Sequence, residues 1–99
     1  MDVKLVDRGT EGELILSGRL ETTNAAEAEE LFLKMADRFT SITLNMRDLK
    51  YISSAGLRVL KKVYVKVHGN GGELCCTNVS EYVNEVFEMT GFAGILNVK

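Results

Sequence analysis

Two adjacent serines, Ser53 and Ser54, are the residues in this sequence best placed for covalent chemistry. They follow an alternating run that predicts a strand and begin a periodic run that predicts a helix. A helix N-terminus presents unpaired N–H groups and the positive end of the helix dipole, both of which favour a phosphate. One serine could therefore carry a phosphate, whereas the other could be an ordinary helix cap. Spacing alone leaves open which serine has which role.

A stripe of basic residues follows the serines on the same predicted helix. Arg58, Lys62 and Lys66 are four residues apart, and Lys61 lies beside them. Residues at this spacing share one helix face. The stripe is either a solvated face, as most charge runs are, or a rim that steers a docking partner.

The remaining reactive side chains do not suggest an enzyme. Cys75 and Cys76 are neighbours on a predicted strand, so their side chains point to opposite faces and neither a disulfide nor a shared metal is expected. His68 is near a helix C-terminus, where a phosphohistidine carrier would not place it. Nothing pairs Asp48 or Lys50 with the serines as a catalytic base. We therefore expect no catalytic residue, metal or cofactor.

Composition restricts the class of protein further. The chain has 99 residues, 45% of them hydrophobic and 26% charged, which predicts a single folded domain over residues 1–99. A net charge of −2 argues against nucleic-acid binding, which needs clustered cations. The apolar runs fall far short of the about 20 residues that span a membrane. The start has no apolar signal segment, so we expect a cytoplasmic protein.

Hydrophobic periodicity predicts the element order β-β-α-β-α-β-α-β. The fold class is therefore α/β, with a mixed, mostly parallel sheet of about five strands and helices packed against it. The predicted strands cover residues 3–5, 13–17, 41–46, 73–77 and 95–98, and the helices begin near Asn24, Ser53 and Ser80.

Local signals add detail to this scheme. Thr22, Thr23 or Asn24 can cap the first helix, and Glu27 follows Asn24 at capping-box spacing. A short loop through Tyr51–Ile52 is expected before the serines. Gly56, in the first turn of the second helix, is expected to keep the backbone accessible to a partner.

The segment around the serines resembles a known family. The motif Ile42-x-Leu44-Asn45-Met46, then Leu49, Ile52 and Ser54-x-Gly56-Leu57, is similar to the signature of the STAS domain, which is named for sulphate transporters and anti-sigma factor antagonists. The resemblance extends over nearly the whole chain, through Gly18-Arg-Leu-Glu21, Gly71-Gly-Glu-Leu74 and Val83-x-x-Val86-Phe87-x-Met89-Thr90-Gly91-Phe92. It implies the STAS fold.

The resemblance also implies a function, that of an anti-sigma factor antagonist. Ser54, two residues before the motif glycine, would be phosphorylated, with Ser53 as the second choice. The partners would be an anti-sigma factor that is also a GHKL-type serine kinase, and a serine phosphatase that resets the switch. The unphosphorylated form would bind the anti-sigma factor and release a sigma factor. The predicted partner-binding surface comprises Glu21, Ser53, Ser54, Gly56, Arg58 and Lys62.

The sequence departs from the family pattern in three places. Ser53 replaces an aspartate that often precedes the phosphorylated serine, and Glu21 replaces an aspartate after Gly-x-Leu. Glu21 would help form the groove that the kinase engages, or would be a solvated carboxylate. The closing helix of many relatives does not follow the last strand, which would leave part of the sheet or the third helix less covered. Dimerisation or capping of that patch by a partner is therefore a hypothesis, and we expect a monomer or weak dimer.

Three other functions are compatible with parts of the pattern. The first is a STAS scaffold or nucleotide-sensing module outside any sigma-factor pathway. The second, a small enzyme or phosphocarrier, lacks a base beside the serines. The third, a regulatory domain of an anion transporter, is disfavoured because no membrane segment accompanies the domain.

Overall fold

The structure, a computed structural model, describes residues 1–98 and has the predicted element order. The strands are β1 (Asp2–Arg8), β2 (Glu11–Leu20), β3 (Ser41–Ile52), β4 (Leu74–Thr77) and β5 (Asn97–Val98). The α-helices are α1 (Ala25–Arg38), α2 (Ser54–Gly69) and α3 (Glu81–Thr90), followed by a short 3₁₀ helix, Phe92–Gly94. Within residues 1–98, no helix combines the length and the apolar character that crossing a bilayer requires.

The five strands form one sheet in sequential order, which confirms the predicted mixed, mostly parallel α/β architecture. Strands β1 and β2 form an antiparallel hairpin, and each later strand is parallel to its neighbour. Leu14, Leu44 and Cys76 lie opposite one another on adjacent strands and are at most 1% exposed, so they form a row in the core. Helices α1 and α2 pack against each other and the central strands, and α3 packs against β3.

Strand β3 is longer than alternation predicts because two bulges interrupt its pairing with β2. Each of the two register shifts puts one extra residue into β3. An extra residue turns the following side chains to the other face, so the spacing of inward positions changes from two to three. The buried apolar side chains of β3 show this change: Ile42, Leu44, Met46, Leu49 and Ile52. The predicted loop through Tyr51–Ile52 is therefore wrong, because both residues belong to β3.

Helices α1 and α3 each bury one apolar face. In α1 the buried residues are Ala25, Ala28, Phe32 and Ala36, with Met35 half-buried. Helix α3 begins where predicted, since the Ser80 hydroxyl accepts a hydrogen bond from the Val83 N–H at 3.2 Å. It ends at Gly91, whose φ of 82° is the left-handed conformation of a helix stop.

The turn after α2 requires glycine at two adjacent positions, Gly71 and Gly72. Gly71 has a φ of 81°, which favours glycine for backbone reasons. Gly72 requires it for steric reasons, because a Cβ atom there would lie 1.6 Å from the Thr40 carbonyl oxygen. The turn therefore brings the entry of β4 against the entry of β3.

A polar cluster ties three parts of the sheet together. The Asn45 side chain donates to Glu13 Oε2 at 3.1 Å, and its oxygen accepts from the Asn78 amide at 3.0 Å. Asn45 is the one buried polar residue among those described, and these bonds satisfy it. Glu13 also pairs with Arg8 at 2.7 Å. The Arg8 and Asn45 hydrogen bonds hold the pKa of Glu13 below its ordinary value of 4.5.

The last strand is shorter than predicted. The 3₁₀ helix takes up the chain after α3, and within the described residues 91–98 the pairing with β4 is confined to Asn97–Val98. Ile95 is 41% exposed and Leu96 is buried, so the apolar run that predicted a four-residue strand is partly a connecting segment.

Gly72→Ala tests the close approach at this turn. We expect a loss of about 2–3 kcal/mol in the free energy of unfolding, since backbone atoms must move to admit the methyl group. The measurement is urea denaturation followed by circular dichroism. Gly69→Ala is the control: nothing lies within 4 Å of its added Cβ, so stability should be unchanged or slightly higher. A Gly72→Ala protein as stable as the wild type would contradict the close approach.

Glu13→Gln tests the polar cluster through pH. Because the folded-state pKa of Glu13 is lowered, its charge contributes stability above pH 4.5, and this contribution is lost as pH falls through the folded-state pKa. The difference in unfolding free energy between wild type and Glu13→Gln should therefore shrink between pH 7 and pH 3. Glu85→Gln, at an exposed position of α3, controls for net charge. A difference that stays constant with pH would refute the stabilising role of the charge.

Candidate functional site

Ser53 caps helix α2 and is bonded to the end of β2. Its Oγ accepts from the Gly56 N–H at 3.3 Å, and its carbonyl oxygen accepts from the Leu57 N–H at 3.0 Å. Its own N–H donates to the Leu20 carbonyl at 2.9 Å. The extended backbone, with φ −95° and ψ 174°, is typical of an N-cap. Of the two roles that the sequence left open, Ser53 has the capping role.

Ser54 is the first residue of α2, and its side chain is exposed. Its hydroxyl makes no hydrogen bond to any residue of 1–98, and neither do the N–H groups of Ser54 and Ala55. These two N–H groups and the helix dipole favour negative charge at this end of α2. An unbonded hydroxyl and a local anion-stabilising field thus coincide at one exposed position.

Gly56 does not keep the backbone accessible, so that prediction is wrong. The residue is buried, and an added Cβ would lie 2.8 Å from Leu20 Cγ and 2.9 Å from Ile52 Cγ1. Glycine is needed here because the first turn of α2 packs directly on the ends of β2 and β3. Gly56 therefore positions the two serines from the interior.

Glu21 follows the last residue of β2, next to the Leu20 carbonyl that holds Ser53. The Glu21 N–H donates to Asn24 Oδ1 at 2.9 Å, and the Asn24 amide donates to the Arg19 carbonyl at 2.8 Å. Asn24 is the N-cap residue of α1, but its side chain forms no capping bond. The predicted capping box with Glu27 is thus wrong: the Asn24 side chain folds back on β2 and fixes the Glu21 backbone.

Sequence analysis missed a ladder of stacked side chains beside the serines. The Arg19 guanidinium lies 4.3 Å from the centre of the Tyr51 ring, and the Tyr51 and Tyr82 rings stack at 6.1 Å. Arg19 also pairs with Glu21 at 3.2 Å. The ladder connects β2, β3 and α3. A sequence signal existed, since Arg19 is part of Gly18-Arg-Leu-Glu21, but assigning Tyr51 to a loop hid the pairing.

The basic stripe is partly neutralised by α1. Lys62 pairs with Glu29 at 2.8 Å, and Lys66 pairs with Asp37 at 2.9 Å. Arg58 and Lys61 are exposed and form no ion pair within residues 1–98. Half of the basic residues on this face are therefore neutralised by α1, and the other half have no ion-pair partner within residues 1–98.

The predicted residues converge at one end of the molecule. A shallow hollow of about 300 Å³ lies between the β2–α1 connection and the first half of α2. Ala55, Arg58 and Lys62 line it on the α2 side, and Thr22 and Glu29 line it opposite. Glu21, Ser53 and Ser54 lie at the same end, since the Ser53–Leu20 hydrogen bond joins the two connections.

The arrangement provides an acceptor hydroxyl without a base of its own. No carboxylate within residues 1–98 hydrogen-bonds to Ser54, and His68 stacks on Tyr64 in the last turn of α2. Burial raises the pKa of the Cys76 thiol to about 12, so this thiol is a poor nucleophile. The described residues contain no cluster of three metal-binding side chains. Within the described residues, the Ser54 hydroxyl is thus exposed and has no hydrogen-bonded base.

Two named relatives match most of this chain. BtrV of Bordetella bronchiseptica, named as a candidate anti-sigma factor antagonist, is 36% identical over 97% of this chain and 85% of its own length. The anti-sigma-B factor antagonist of Bacillus subtilis is 25% identical over 84% of this chain and 76% of its own.

Solved structures share the fold. The anti-sigma factor antagonist SpoIIAA in its unphosphorylated form has a TM-score of 0.85 and 17% identity, over 99% of this chain and 88% of its own. The phosphorylated form of SpoIIAA, from Bacillus, has a TM-score of 0.77 and 16% identity, over 99% and 91%. The family profile of the STAS domain matches residues 5–99. With nearly the whole chain matched and its serine-bearing helix placed as the motif requires, this protein belongs to the STAS domain family.

Proposed function

We propose that this protein is an anti-sigma factor antagonist whose activity is switched off by phosphorylation of Ser54. The observation that carries the proposal is the exposed, unbonded Ser54 hydroxyl at the N-terminus of α2, beside a serine already engaged as the cap. Two relatives named as anti-sigma factor antagonists support the role, and SpoIIAA is known both with and without phosphate.

The chemistry at Ser54 is the acceptance of a phosphoryl group. Ser54 Oγ attacks the γ-phosphorus of ATP bound to a kinase, the bond to the β-phosphate bridging oxygen breaks, and ADP leaves. The hydroxyl proton passes to a base of the kinase, since the described part of this chain provides none at Ser54. A serine phosphatase returns the hydroxyl by hydrolysis. We propose that this cycle operates in the cytoplasm, where ATP is available.

Phosphorylation changes docking by charge. The phosphate adds about −1.5 to −2 charges at a single exposed point. Our proposal is that the unphosphorylated surface packs against an anti-sigma factor, a GHKL-type kinase, and releases its sigma factor. A dianion at the centre of that contact would need to be desolvated, and it would repel acidic groups of the partner. Binding would then be lost without refolding either protein.

The proposed docking surface surrounds Ser54. It includes Glu21, the exposed part of the Arg19–Tyr51–Tyr82 ladder, and Arg58. Lys62 contributes less charge than its position predicts, because Glu29 neutralises it. Ser53 and Gly56 act indirectly, by holding Ser54 outward. We propose that this surface binds a protein and is not a catalytic centre. The chain itself would be a monomer or a weak dimer.

Ser54→Ala tests the acceptor. After incubation with ATP and the GHKL-type kinase of the source organism, intact mass spectrometry should show one added phosphate in the wild type and none in Ser54→Ala. The Ser53→Ala variant should still gain one phosphate. Full phosphorylation of Ser54→Ala would disprove the assignment. If the purified protein binds a nucleotide and no kinase modifies or binds the protein, a nucleotide-sensing module is favoured instead.

Ser53→Ala and Ser54→Ala should differ in stability. Removing the capping hydroxyl of Ser53 should lower the free energy of unfolding by about 1 kcal/mol. Removing the unbonded hydroxyl of Ser54 should change it by less than about 0.5 kcal/mol. Thermal and urea denaturation measure both. Equal losses in the two variants would show that the capping and acceptor roles are not divided as proposed.

A further inference from the structure

A groove runs between α1 and α2 along the helix face that begins at Ser54. Its volume is about 630 Å³, and it is lined by Leu33, Arg58, Lys61, Lys62, Val65 and Lys66. The α2 members recur every three or four residues from Ser54, so they share one face with the proposed phosphorylation site. They span about 12 Å of helix at 1.5 Å per residue, enough for a short peptide segment.

The groove combines apolar walls with a cationic rim. Val65 is 60% exposed and Leu33 is half-buried, and the aliphatic stems of the basic residues extend this apolar surface. On the rim, Glu29 and Asp37 compensate Lys62 and Lys66, which leaves the charges of Arg58 and Lys61 uncompensated within residues 1–98. The groove is therefore locally positive in a chain whose net charge is −2.

We propose that this groove receives an acidic segment of the anti-sigma factor. Carboxylates of the segment contact Arg58 and Lys61, and an apolar side chain of the same segment fills the space between Leu33 and Val65. Charge complementarity selects an acidic occupant, since a basic segment would face two unpaired cations. The inference rests on the proposed function, because it specifies how the same partner binds.

The groove is continuous with the switch through Arg58. This residue and Lys62 line both the groove and the smaller hollow at Ala55. Arg58 is four residues after Ser54, and helical side chains lean towards the helix N-terminus, so its guanidinium is within reach of a phosphate on Ser54. Phosphorylation then draws Arg58 from the rim into an intrahelical ion pair. The acidic segment loses one of its two free cations and meets a dianion beside it.

Charge reversal in the groove tests the docking. The affinity of the unphosphorylated full-length chain for the anti-sigma factor kinase is measured by calorimetry at 0.15 M salt. Lys61→Glu and Val65→Asp should each weaken binding about tenfold or more. The matched controls are Lys4→Glu on β1 and Met89→Asp on α3, both at exposed positions away from the groove, and they should stay within about twofold of wild type.

The outcomes separate this inference from the proposed function. If Ser54→Asp abolishes binding while Lys61→Glu and Val65→Asp bind as wild type does, the switch stands and the groove inference is overturned. If the wild type binds no anti-sigma factor, the proposed function fails and the inference falls with it. Melting temperatures check that each variant is folded. Should Val65→Asp convert a wild-type dimer to a monomer in sedimentation, a second copy of the chain occupies the groove, which also overturns the inference.

The Arg58 link has a test that needs no partner. Phosphoserine is incorporated at position 54 during translation, and the phosphate is titrated by ³¹P NMR in the wild-type background, in Arg58→Gln and in Lys61→Gln. An ion pair with Arg58 lowers the second pKa of the phosphate, which is otherwise about 6. Arg58→Gln should therefore raise this pKa clearly more than Lys61→Gln, because Lys61 is about 10 Å along the helix from Ser54 and Arg58 is only about 6 Å from it. Equal shifts in the two variants would overturn the link.

Discussion

The close packing of the first turn of α2 on the ends of β2 and β3 is the contact on which the candidate site depends. Gly56 permits it, because a Cβ atom there would collide with Leu20 and Ile52. With the helix this close, the Ser53 N–H reaches the Leu20 carbonyl and its hydroxyl turns inward to cap the helix. The next residue must then point away from the sheet. The exposure of Ser54 is thus a consequence of core packing.

Helix α2 contributes one face to the core and the other to the surface, and different interactions stabilise the two faces. Its inward residues, including Leu60, Val63 and Val67, are fully buried and anchor it by hydrophobic burial. Its outward charges are held only by exposed ion pairs with α1, which contribute about 0–1 kcal/mol each. A partner or a phosphate can therefore rearrange the outer face at little cost in stability. A helix that is firmly anchored in the core but whose outer side chains are held only by weak ion pairs suits the proposed switch, which acts without refolding.

Two surfaces of different character flank Ser54. On the strand side, Arg19 lies over Tyr51, which stacks on Tyr82, a rigid aromatic surface of the kind that concentrates binding energy in interfaces. On the helix side, the groove offers apolar contact with a positive rim. Under the proposed function, a phosphate on Ser54 would lie between these two surfaces and would act on both.

Residue patterns along the chain predicted the element order, the sheet type, the family and the end of the molecule where the candidate site lies, because periodicity, motifs and turn residues are local properties of a sequence. The sequence predicted the cap of α3 as well, since the Ser80 hydroxyl accepts from an N–H group three residues away, and it narrowed the cap of α2 to two adjacent serines. It did not predict the extent of β3, where bulges against β2 shift the inward positions, nor the side chain of Asn24, which bonds to β2 instead of its own helix. Tertiary contacts determine that Gly56 is buried, that Ser53 is the cap while the Ser54 hydroxyl is unbonded, and which cations of α2 have no ion-pair partner within residues 1–98. Each of these depends on residues distant in the chain that only folding brings into contact.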